Sequence, residues 1–384
     1  MTTEGRSFLV VNLKDIVPEE LILRSKGKCM ASEVFYTSVS QTDGTEIIQE
    51  QLHKLLLASQ LLDGVNCDER VVLKIHFGEE GNKGFVKPEY TRVIIDKVKE
   101  RGGVPILSDT NTLYRGRRTN SKDHLELAAE HGFTEEGTGA KIFIPENAEE
   151  NNVMLPSEHK FIKNAKVAKV YIEADHLINI SHFKGHIMTG FGGALKNIGM
   201  GCAAREGKLE QHSGMAPLVD HENCVGCEAC YEACPAEAIT ISDKKSYINE
   251  ERCIGCASCI AACEYSAIDV DWNSGENTIQ EKMVEYAKAV LDKKSGQVVH
   301  INFAIKITKE CDCLAQDDPR ICPDIGILMS TDPVSVDKAC YDLVVQRCGQ
   351  DIFKKVHPER DGMKQLLYSA SLGVGALEYR LIEV

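Results

Sequence analysis

The sequence lacks the long apolar runs of membrane and secreted proteins. Its first 30 residues interleave charges with short apolar stretches, so they never form the uninterrupted apolar segment that a signal peptide needs. No window approaches the ~18 apolar residues of a membrane-spanning helix. We therefore expect a cytoplasmic protein with no membrane partner.

An excess of positive charge is also missing. The 384-residue chain carries 44 Lys and Arg against 58 Asp and Glu, a formal net charge of -14 at pH 7. Nucleic acids and anionic membranes are bound through basic surfaces, so neither is expected as the main partner. An acidic surface suits a basic protein partner, although a charge excess is more often only a solvated surface.

Nucleotide-binding signatures are absent as well. No G-x-G-x-x-G follows a strand-like run, and no phosphate-loop spacing occurs, so neither a dinucleotide nor a nucleoside triphosphate is implied. Apolar residues make up 43% of the chain, enough to bury a sizeable core. The length fits two or three domains, or one large domain with an insertion.

Cysteine is abundant, with 16 residues, and disulfides are disfavoured in the cytosol, so the spacing indicates metal binding. Half of the cysteines lie in two runs, CVGCEACYEACP from Cys224 and CIGCASCIAACE from Cys253, and both follow C-x2-C-x2-C-x3-C. A repeat this short cannot build an apolar core, so an inorganic cluster has to serve as the core. Zinc is the alternative metal, although zinc sites usually pair two C-x2-C units.

Three cysteines at x2 intervals can bind three corners of a cubane cluster, and the fourth corner then comes from the other run. The two runs resemble the bacterial two-cluster ferredoxin. Carried over position by position, the resemblance implies two [4Fe–4S] clusters, one bound by Cys224, Cys227, Cys230 and Cys263 and the other by Cys253, Cys256, Cys259 and Cys234. Gly226 and Gly255 fit tight loops whose N–H groups turn toward sulfur.

The flanking segments alternate strand and helix patterns. Strand-length apolar runs are RVVLKIHF, VPILSD, KIFI, HLINIS and VVHINFAIKI, and helical spacing occurs in EIIQEQLHKLLLASQLL, EYTRVIIDKVKERGG and ENTIQEKMVEYAKAVLDKK. Such alternation predicts a mostly parallel sheet covered by helices on both faces. The predicted organisation is an α/β domain in residues 1–215 and 273–384, interrupted by an inserted α+β ferredoxin-like two-cluster domain in residues 216–272.

Ligands of open α/β sheets bind beyond the carboxyl ends of the strands, and several predicted strands here end in cationic or ligand-capable side chains. The candidates for catalysis and proton handling are His182, Lys184, His186 and His76. The candidates for binding a small anionic substrate are Lys74, Asp109, Arg115 and Lys196.

The segment SHFKGHIMTGFGGALKNIGMG leaves alternatives open. His182 and His186 would share a face if the segment were helical, which suits metal binding or proton transfer, and hydrogen-bonded structural histidines are the other interpretation. The glycines around Lys196 suit either a backbone site for an anionic group or close backbone packing.

A second cysteine-rich segment, CDCLAQDDPRIC, contains Cys311, Cys313 and Cys322. These residues suit a third metal site or a redox-active pair, and small buried thiols are the alternative. The adjacent stretch STDPVSVDKACYDLVVQRCG predicts a helix that is capped by Thr331 or Asp332 and has cysteines in its buried pattern.

A family resemblance is carried by KIHFGEEGN, SDTNTLYRGRR, LINISHFKGHIMTGFGGALKNIGMG, ECDC and PDIGILMSTDPVSVDKAC. These stretches resemble the DUF362 family, and the cysteine runs resemble its ferredoxin-bearing members. The resemblance covers about residues 70 to 350. It implies an iron–sulfur protein of anaerobic metabolism but no agreed reaction.

Two functions remain as hypotheses. In the first, the chain is an oxidoreductase in which the two-cluster module passes low-potential electrons to or from a cleft in the α/β domain, with a ferredoxin or a reductase as redox partner. In the second, the chain is an electron-transfer adaptor without chemistry of its own. Purely structural clusters in a non-redox protein are a third interpretation. The size of the α/β scaffold favours the enzyme, because a carrier needs only the short module.

Overall fold

The computed structural model describes residues 8–9, 31–114, 116–212, 216–270, 278–294 and 296–384. Arg115, a predicted substrate-binding residue, lies outside the described residues. The strands are β1 Phe8–Leu9, β2 Ser32–Ser38, β3 Arg70–Lys74, β4 Val104–Ser108, β5 Lys141–Phe143, β6 Asn152–Pro156, β7 Asn164–Ala168, β8 His176–His182, β9 Lys184–His186, β10 Gly190–Gly192, β11 Leu218–Val219, β12 Ile239–Ser242, β13 Lys245–Ile248, β14 Ile268–Asp269, β15 Val298–Ala304, β16 Gly326–Ser330 and β17 Tyr379–Glu383.

Thirteen α-helices lie within the described residues. They are α1 Thr45–Ser59, α2 Pro88–Glu100, α3 Ser121–Glu130, α4 Glu135–Thr138, α5 Lys169–Glu173, α6 Ala194–Gly199, α7 Arg205–His212, α8 Ala229–Glu232, α9 Ser258–Ala262, α10 Ile279–Lys293, α11 Pro333–Cys348, α12 Ile352–Val356 and α13 Met363–Ser371. A 3-10 turn, Glu149–Asn151, precedes β6. No helix in the described part of the chain is both long and apolar enough to cross a membrane.

A nine-stranded sheet forms the centre of the molecule, in the order β1-β17-β2-β16-β15-β8-β3-β4-β5. The pairs from β15 through β8, β3 and β4 to β5 are parallel, and β17 is parallel to β2. β16 is antiparallel to both of its neighbours, and β1 is antiparallel to β17. The mostly parallel α/β sheet that the sequence predicts is therefore confirmed.

Both faces of the sheet are buried, as the near-continuous apolar strands require. One face packs against α6, α10, α11 and α13, and the other packs against α1 and α2. β15 and β16 are buried along their whole lengths. Alternation in β3 illustrates the division, because Val72 faces the first layer and Val71 and Leu73 face the second.

Most predicted elements lie where the patterns place them. The five predicted strands are β3, β4, β5, β8 and β15, and the three predicted helices are α1, α2 and α10. Helix α2 ends at Glu100 and is followed by Gly102 in the left-handed region (φ +87°), the usual glycine position after a helix. At α11 the capping residue is Asp332, whose side chain accepts from the N–H groups of Val334 and Ser335.

The glycine-rich segment after β8 is not one helix. It forms an antiparallel hairpin of β9 and β10 and then the short helix α6, so His182 and His186 do not share a helical face. The N–H groups of Ala194 and Leu195 donate to the Asp337 carboxylate, with N–O distances of 2.7 and 3.0 Å. The N–H groups at the start of α6 are thus occupied by the carboxylate of Asp337, a side chain of the same protein.

Residues 216–270 form a separate small unit of short elements. β11 pairs with β14, β12 pairs with β13, and α8 and α9 lie between these strands in the sequence. Four cysteines from both runs belong to its apolar cluster together with Ile239, Ile260, Ile268 and Val270. The predicted insertion ends at residue 272, and its last two residues lie outside the described part.

Close packing of α6 on α10 gives a first prediction. A Cβ at Gly199 would lie 2.2 Å from the backbone oxygen of Met283, and backbone cannot move aside as a flexible side chain can. We expect Gly199→Ala to lower the free energy of unfolding by about 1–3 kcal/mol, measured by urea unfolding under anaerobic conditions. Gly64→Ala is the matched control, because no atom lies within 4 Å of its added Cβ. An equal effect of both substitutions would contradict the packing interpretation.

Candidate active site

A cavity of about 430 Å³ opens at the carboxyl ends of β3, β4 and β8, beside α6 and α7. Every catalytic or substrate-binding candidate that the structure describes lines this cavity, namely His76, His182, Lys184, His186, Lys74, Asp109 and Lys196. Parallel strands bring their carboxyl ends to one edge of a sheet, so residues distant in sequence meet there.

Lys74 and Asp109 form a buried ion pair at neighbouring strand ends, with Nζ and Oδ1 3.0 Å apart. Lys74 also donates to Oδ1 of Asn197 at 2.9 Å. Burial opposes ionisation of Asp109, but the positive charges of Lys74 and neighbouring groups outweigh it and hold the pKa of this carboxyl well below its ordinary value. The second carboxylate oxygen of Asp109 is buried without a hydrogen bond among the described residues.

A second buried ion pair, between Arg118 and Glu79, positions His76. Nε of Arg118 donates to Glu79 at 3.0 Å, and Nη1 lies 2.8 Å from Nε2 of His76. The sulfur of Cys313 lies 3.4 Å from the same ring nitrogen. Burial, and then the charge of Arg118, lower the pKa of His76, so its ring is neutral at pH 7.

The His182 ring lies between a carboxylate and a backbone carbonyl oxygen. Its Nδ1 lies 2.9 Å from the Asp312 carboxylate and its Nε2 lies 3.0 Å from the carbonyl oxygen of Ile305. Lys184 lies 3.2 Å from the other Asp312 oxygen and donates to the His182 carbonyl at 2.8 Å. This part of the wall is hydrogen-bonded within the chain, which favours a positioning role for His182.

His186 has one ring nitrogen occupied. Its Nδ1 lies 3.2 Å from the backbone N–H groups of Met188 and Thr189, both of which donate to it. Burial, and then the charge of Lys196, lower the pKa of His186 well below its ordinary value. The ring is therefore a neutral group on the cavity wall that can accept a proton only from a stronger acid.

Cys313 lies among donors. Hydrogen bonding from the Cys311 thiol is the main cause that lowers the pKa of Cys313 well below its ordinary value, and Lys196 and His76 add to the effect. Nζ of Lys196 lies 3.9 Å from this sulfur. Cys311 is buried, whereas Cys313 is partly exposed to the cavity.

The third cysteine of this segment lies elsewhere. The sulfur of Cys322 is 2.8 Å from the sulfur of Cys348 on α11, and Cys322 does not line the cavity. Within the described residues, no group of three or more His, Cys, Asp or Glu side chains could hold one metal ion. The structure therefore does not bring Cys322 to the pair of Cys311 and Cys313.

Sequence patterns did not find Lys208 and His212, which α7 brings into the cavity wall. Lys208 donates to the carbonyl oxygen of Asn111 at 2.6 Å, and burial lowers its pKa to about 7. Burial likewise lowers the pKa of His212 to about 4. The only signal for these residues was their spacing of four, which places both on one face of a helix.

The cysteine runs line two further, much smaller cavities. One is lined by Cys224, Cys227, Cys230 and Cys263, and the other by Cys234, Cys253, Cys256 and Cys259. These are the two sets that the ferredoxin resemblance implies. Gly226 and Gly255 both have φ of +69°, and their N–H groups donate to the sulfurs of Cys224 and Cys253.

Residues 71–342 match the family model described as "Domain of unknown function (DUF362)", so the chain belongs to this family. No functionally curated protein matches the sequence.

Two solved structures are similar to the chain. The lactate racemase apoprotein from Thermoanaerobacterium thermosaccharolyticum is 13% identical with a TM-score of 0.37, and the match covers 71% of this chain and 51% of that one. A protein from Thermotoga maritima solved by structural genomics is 14% identical with a TM-score of 0.43, and the match covers 79% of this chain and 59% of that one. The chain thus matches little more than half the length of either.

Lys208 gives a testable prediction about the electrostatics of the cavity. Its pKa of about 7 lies below the ~10.4 of an unfolded lysine. Between these two pH values the unfolded chain binds more protons than the folded chain. The free-energy cost of burying this lysine therefore falls, and the stability of the fold rises, as pH rises through that range. We expect one lysine Cε resonance to titrate near pH 7 in a ¹³C NMR experiment and to be missing in Lys208→Met. A titration of that resonance with the other lysines would contradict the burial argument.

Proposed function

We propose that this member of the DUF362 family is an iron–sulfur oxidoreductase. In this proposal residues 216–272 form a two-cluster [4Fe–4S] ferredoxin-like module, and the module exchanges electrons with a small anionic substrate in the 430 Å³ cavity. The observation that carries the proposal is the separation of eight cysteines into two cavities of four, in the interleaved sets that two cubane clusters need.

Backbone hydrogen bonds to the cysteine sulfurs also fit iron–sulfur clusters, as does the grouping of the cysteines. Thiolate ligands of iron–sulfur clusters are stabilised by backbone N–H groups, and here Ala238 donates to Cys234 at 3.3 Å and Ala267 donates to Cys263 at 3.2 Å. The two contacts are equivalent in the repeat, since each joins the fourth cysteine of a run to the residue four positions later.

The module lies directly against the cavity wall, which supports electron exchange between them. Leu113 lines the cavity and belongs to the same apolar cluster as Cys224, Cys230, Cys259 and Cys263. On α7, Leu209 packs in that cluster while Lys208 lines the cavity. The apolar cluster that contains these cysteines therefore extends to the wall of the cavity.

The charge of the cavity supports an anionic substrate. Lys74, Arg118 and Lys184 have carboxylate partners in Asp109, Glu79 and Asp312. Lys196 instead faces the sulfur of Cys313, and Lys208 faces a hydroxyl and a carbonyl oxygen. These two ammonium groups are the donors that an incoming anion would meet in the cavity.

When bound, [4Fe–4S] clusters supply one-electron transfer. The chain's own residues bind the anion through Lys196 and Lys208, and the pKa of Lys208 near 7 allows it to give or take a proton at neutral pH. The neutral ring of His186 lines the same space. Asp312 fixes His182 and Lys184, which keeps that wall of the cavity rigid.

An electron-transfer adaptor is the second candidate. The observation that favours it is apolar surface at the cysteine sites, where Val225 and Ile254 are each 50% exposed. They occupy the same position after the first cysteine of each run. Such a surface suits docking of a redox partner such as a ferredoxin or reductase, which the enzyme would also need.

Cysteine substitutions test the cluster assignment. We expect Cys263→Ser to lower the iron content from about eight to about four per chain, because only the cluster bound by Cys224, Cys227 and Cys230 loses a ligand. Cys234→Ser should remove the other cluster. Iron analysis and EPR of the anaerobically reduced protein measure both effects.

Cys67→Ser is the matched control, because Cys67 is exposed and outside both runs; its iron content should equal that of the unmodified protein. Cys263→Ser should leave intact the cluster that Cys234→Ser removes. Loss of that cluster's EPR signal in Cys263→Ser would contradict the pairing. A protein that binds zinc in place of iron would contradict the proposed function itself.

A further inference from the structure

Three of the thiols in the α/β scaffold differ sharply in their surroundings. Cys202 is fully buried, and burial raises its pKa to about 12. Cys340 is also fully buried, and burial raises its pKa well above the ordinary value. Such thiols are inert parts of the core. Cys313 is partly exposed to the large cavity instead.

Two donors and the His76 ring surround the Cys313 sulfur. Cys311 supplies a thiol hydrogen bond, His76 lies 3.4 Å away and the Lys196 ammonium lies 3.9 Å away. Reactive cysteines occupy partly exposed, electropositive sites of this kind, because the thiolate is the nucleophile. The geometry therefore favours a reactive sulfur.

The cavity beside Cys313 also contains a buried polar group with no partner. The Ser181 hydroxyl lines the cavity, its residue is only 3% exposed, and its oxygen has no hydrogen bond among the described residues. Buried polar atoms are nearly always hydrogen-bonded, so this hydroxyl is available to hydrogen-bond a molecule bound in the cavity. A reactive sulfur, a cationic wall and an unpaired hydroxyl thus face one space.

From this arrangement we infer that Cys313 is a catalytic nucleophile, which forms a covalent bond to an electrophilic carbon of a small anionic substrate held by Lys196 and Lys208. The inference rests on the proposed function in placing the substrate in this cavity. It adds the covalent step and the chemical class of the substrate, an anion with a carbonyl group.

The step balances without a further reactant. The Cys313 thiolate adds to the carbonyl carbon, the C–S bond forms, and the carbonyl π electron pair moves to oxygen. That oxygen takes a proton from the Lys208 ammonium group, which is a suitable acid because its pKa is about 7. No leaving group and no oxidant are needed, and reversal restores the thiolate and the free carbonyl compound.

Paired alkylating reagents test the inference in the anaerobically purified protein. Iodoacetamide is neutral and iodoacetate is an anion, and both form a C–S bond as iodide leaves. We expect iodoacetamide to label Cys313 at pH 7 about threefold faster than the exposed Cys67, because more of the Cys313 sulfur is thiolate, although a thiolate of lower pKa is a weaker nucleophile. The ratio of iodoacetate to iodoacetamide labelling should also be higher at Cys313 than at Cys67. Peptide mapping by mass spectrometry reports both sites in one sample.

Lys196→Met tests the source of the anion preference. The substitution should lower the ratio of iodoacetate to iodoacetamide labelling at Cys313 by at least roughly fivefold, the effect of one unit charge about 4 Å from another even at the dielectric constant of water. Any change in thiolate content affects both reagents equally and leaves the ratio unchanged. Lys141→Met, at an exposed lysine of the edge strand β5, is the control and should leave the ratio as it is.

In the unmodified protein, labelling of Cys313 that is slower than that of Cys67 would overturn the inference. A ratio of iodoacetate to iodoacetamide labelling at Cys313 no higher than that at Cys67 would also overturn it, and neither result depends on the folding of a variant. An unchanged ratio in folded Lys196→Met would overturn the role of the lysine. The proposed function fails in a different way. Without clusters, the eight cysteines of the two runs become labelled, whereas bound iron protects them.

Discussion

Buried positive charge is the constraint on which the cavity and its surroundings depend. A desolvated ammonium group is costly unless an anion or several acceptors face it. Lys74 meets this requirement through Asp109, which directly follows strand β4. Lys184 meets it through Asp312, which lies in the segment after β15. Lys196 meets it differently, because it faces a cysteine sulfur at 3.9 Å. This contact stabilises the charge of the lysine and adds to the Cys311 hydrogen bond in favouring the thiolate form of the sulfur.

A buried carboxylate holds α6, the helix that carries Lys196. Its first N–H groups are occupied by Asp337, and Asn302 donates to the same carboxylate at 2.7 Å, so the helix that carries Lys196 is fixed to the sheet. A Cβ at Gly193 would lie 2.3 Å from this carboxylate, and glycine is needed there for that reason. On the other side of the cavity, Leu209 joins α7 to the cysteine-lined unit. Two short helices thus position the ligand-facing groups between a rigid sheet and the proposed electron source.

Much of this arrangement could be predicted from local patterns. Apolar, β-branched runs identified the strands that end at the cavity. The resemblance of the cysteine runs to the two-cluster ferredoxin implied the two sets of four thiols that line separate cavities. Other features depend on contacts between distant residues, which a single sequence does not display. The antiparallel β16 follows from the course of the chain after β15, and the partner of His182 is Asp312, 130 positions away. Lys208 could not be predicted, because α7 is rich in charged residues and has no apolar helical pattern of its own. The packing of α7 against the rest of the molecule makes it a helix.

The central claim is that two iron–sulfur clusters lie beside a cationic substrate cavity. The most direct measurement is an anomalous difference map of anaerobically grown crystals at the iron absorption edge. The account predicts two strong peaks, one surrounded by the sulfurs of Cys224, Cys227, Cys230 and Cys263 and the other by those of Cys234, Cys253, Cys256 and Cys259. Peaks at the zinc edge instead, or iron bound at other residues, would contradict it.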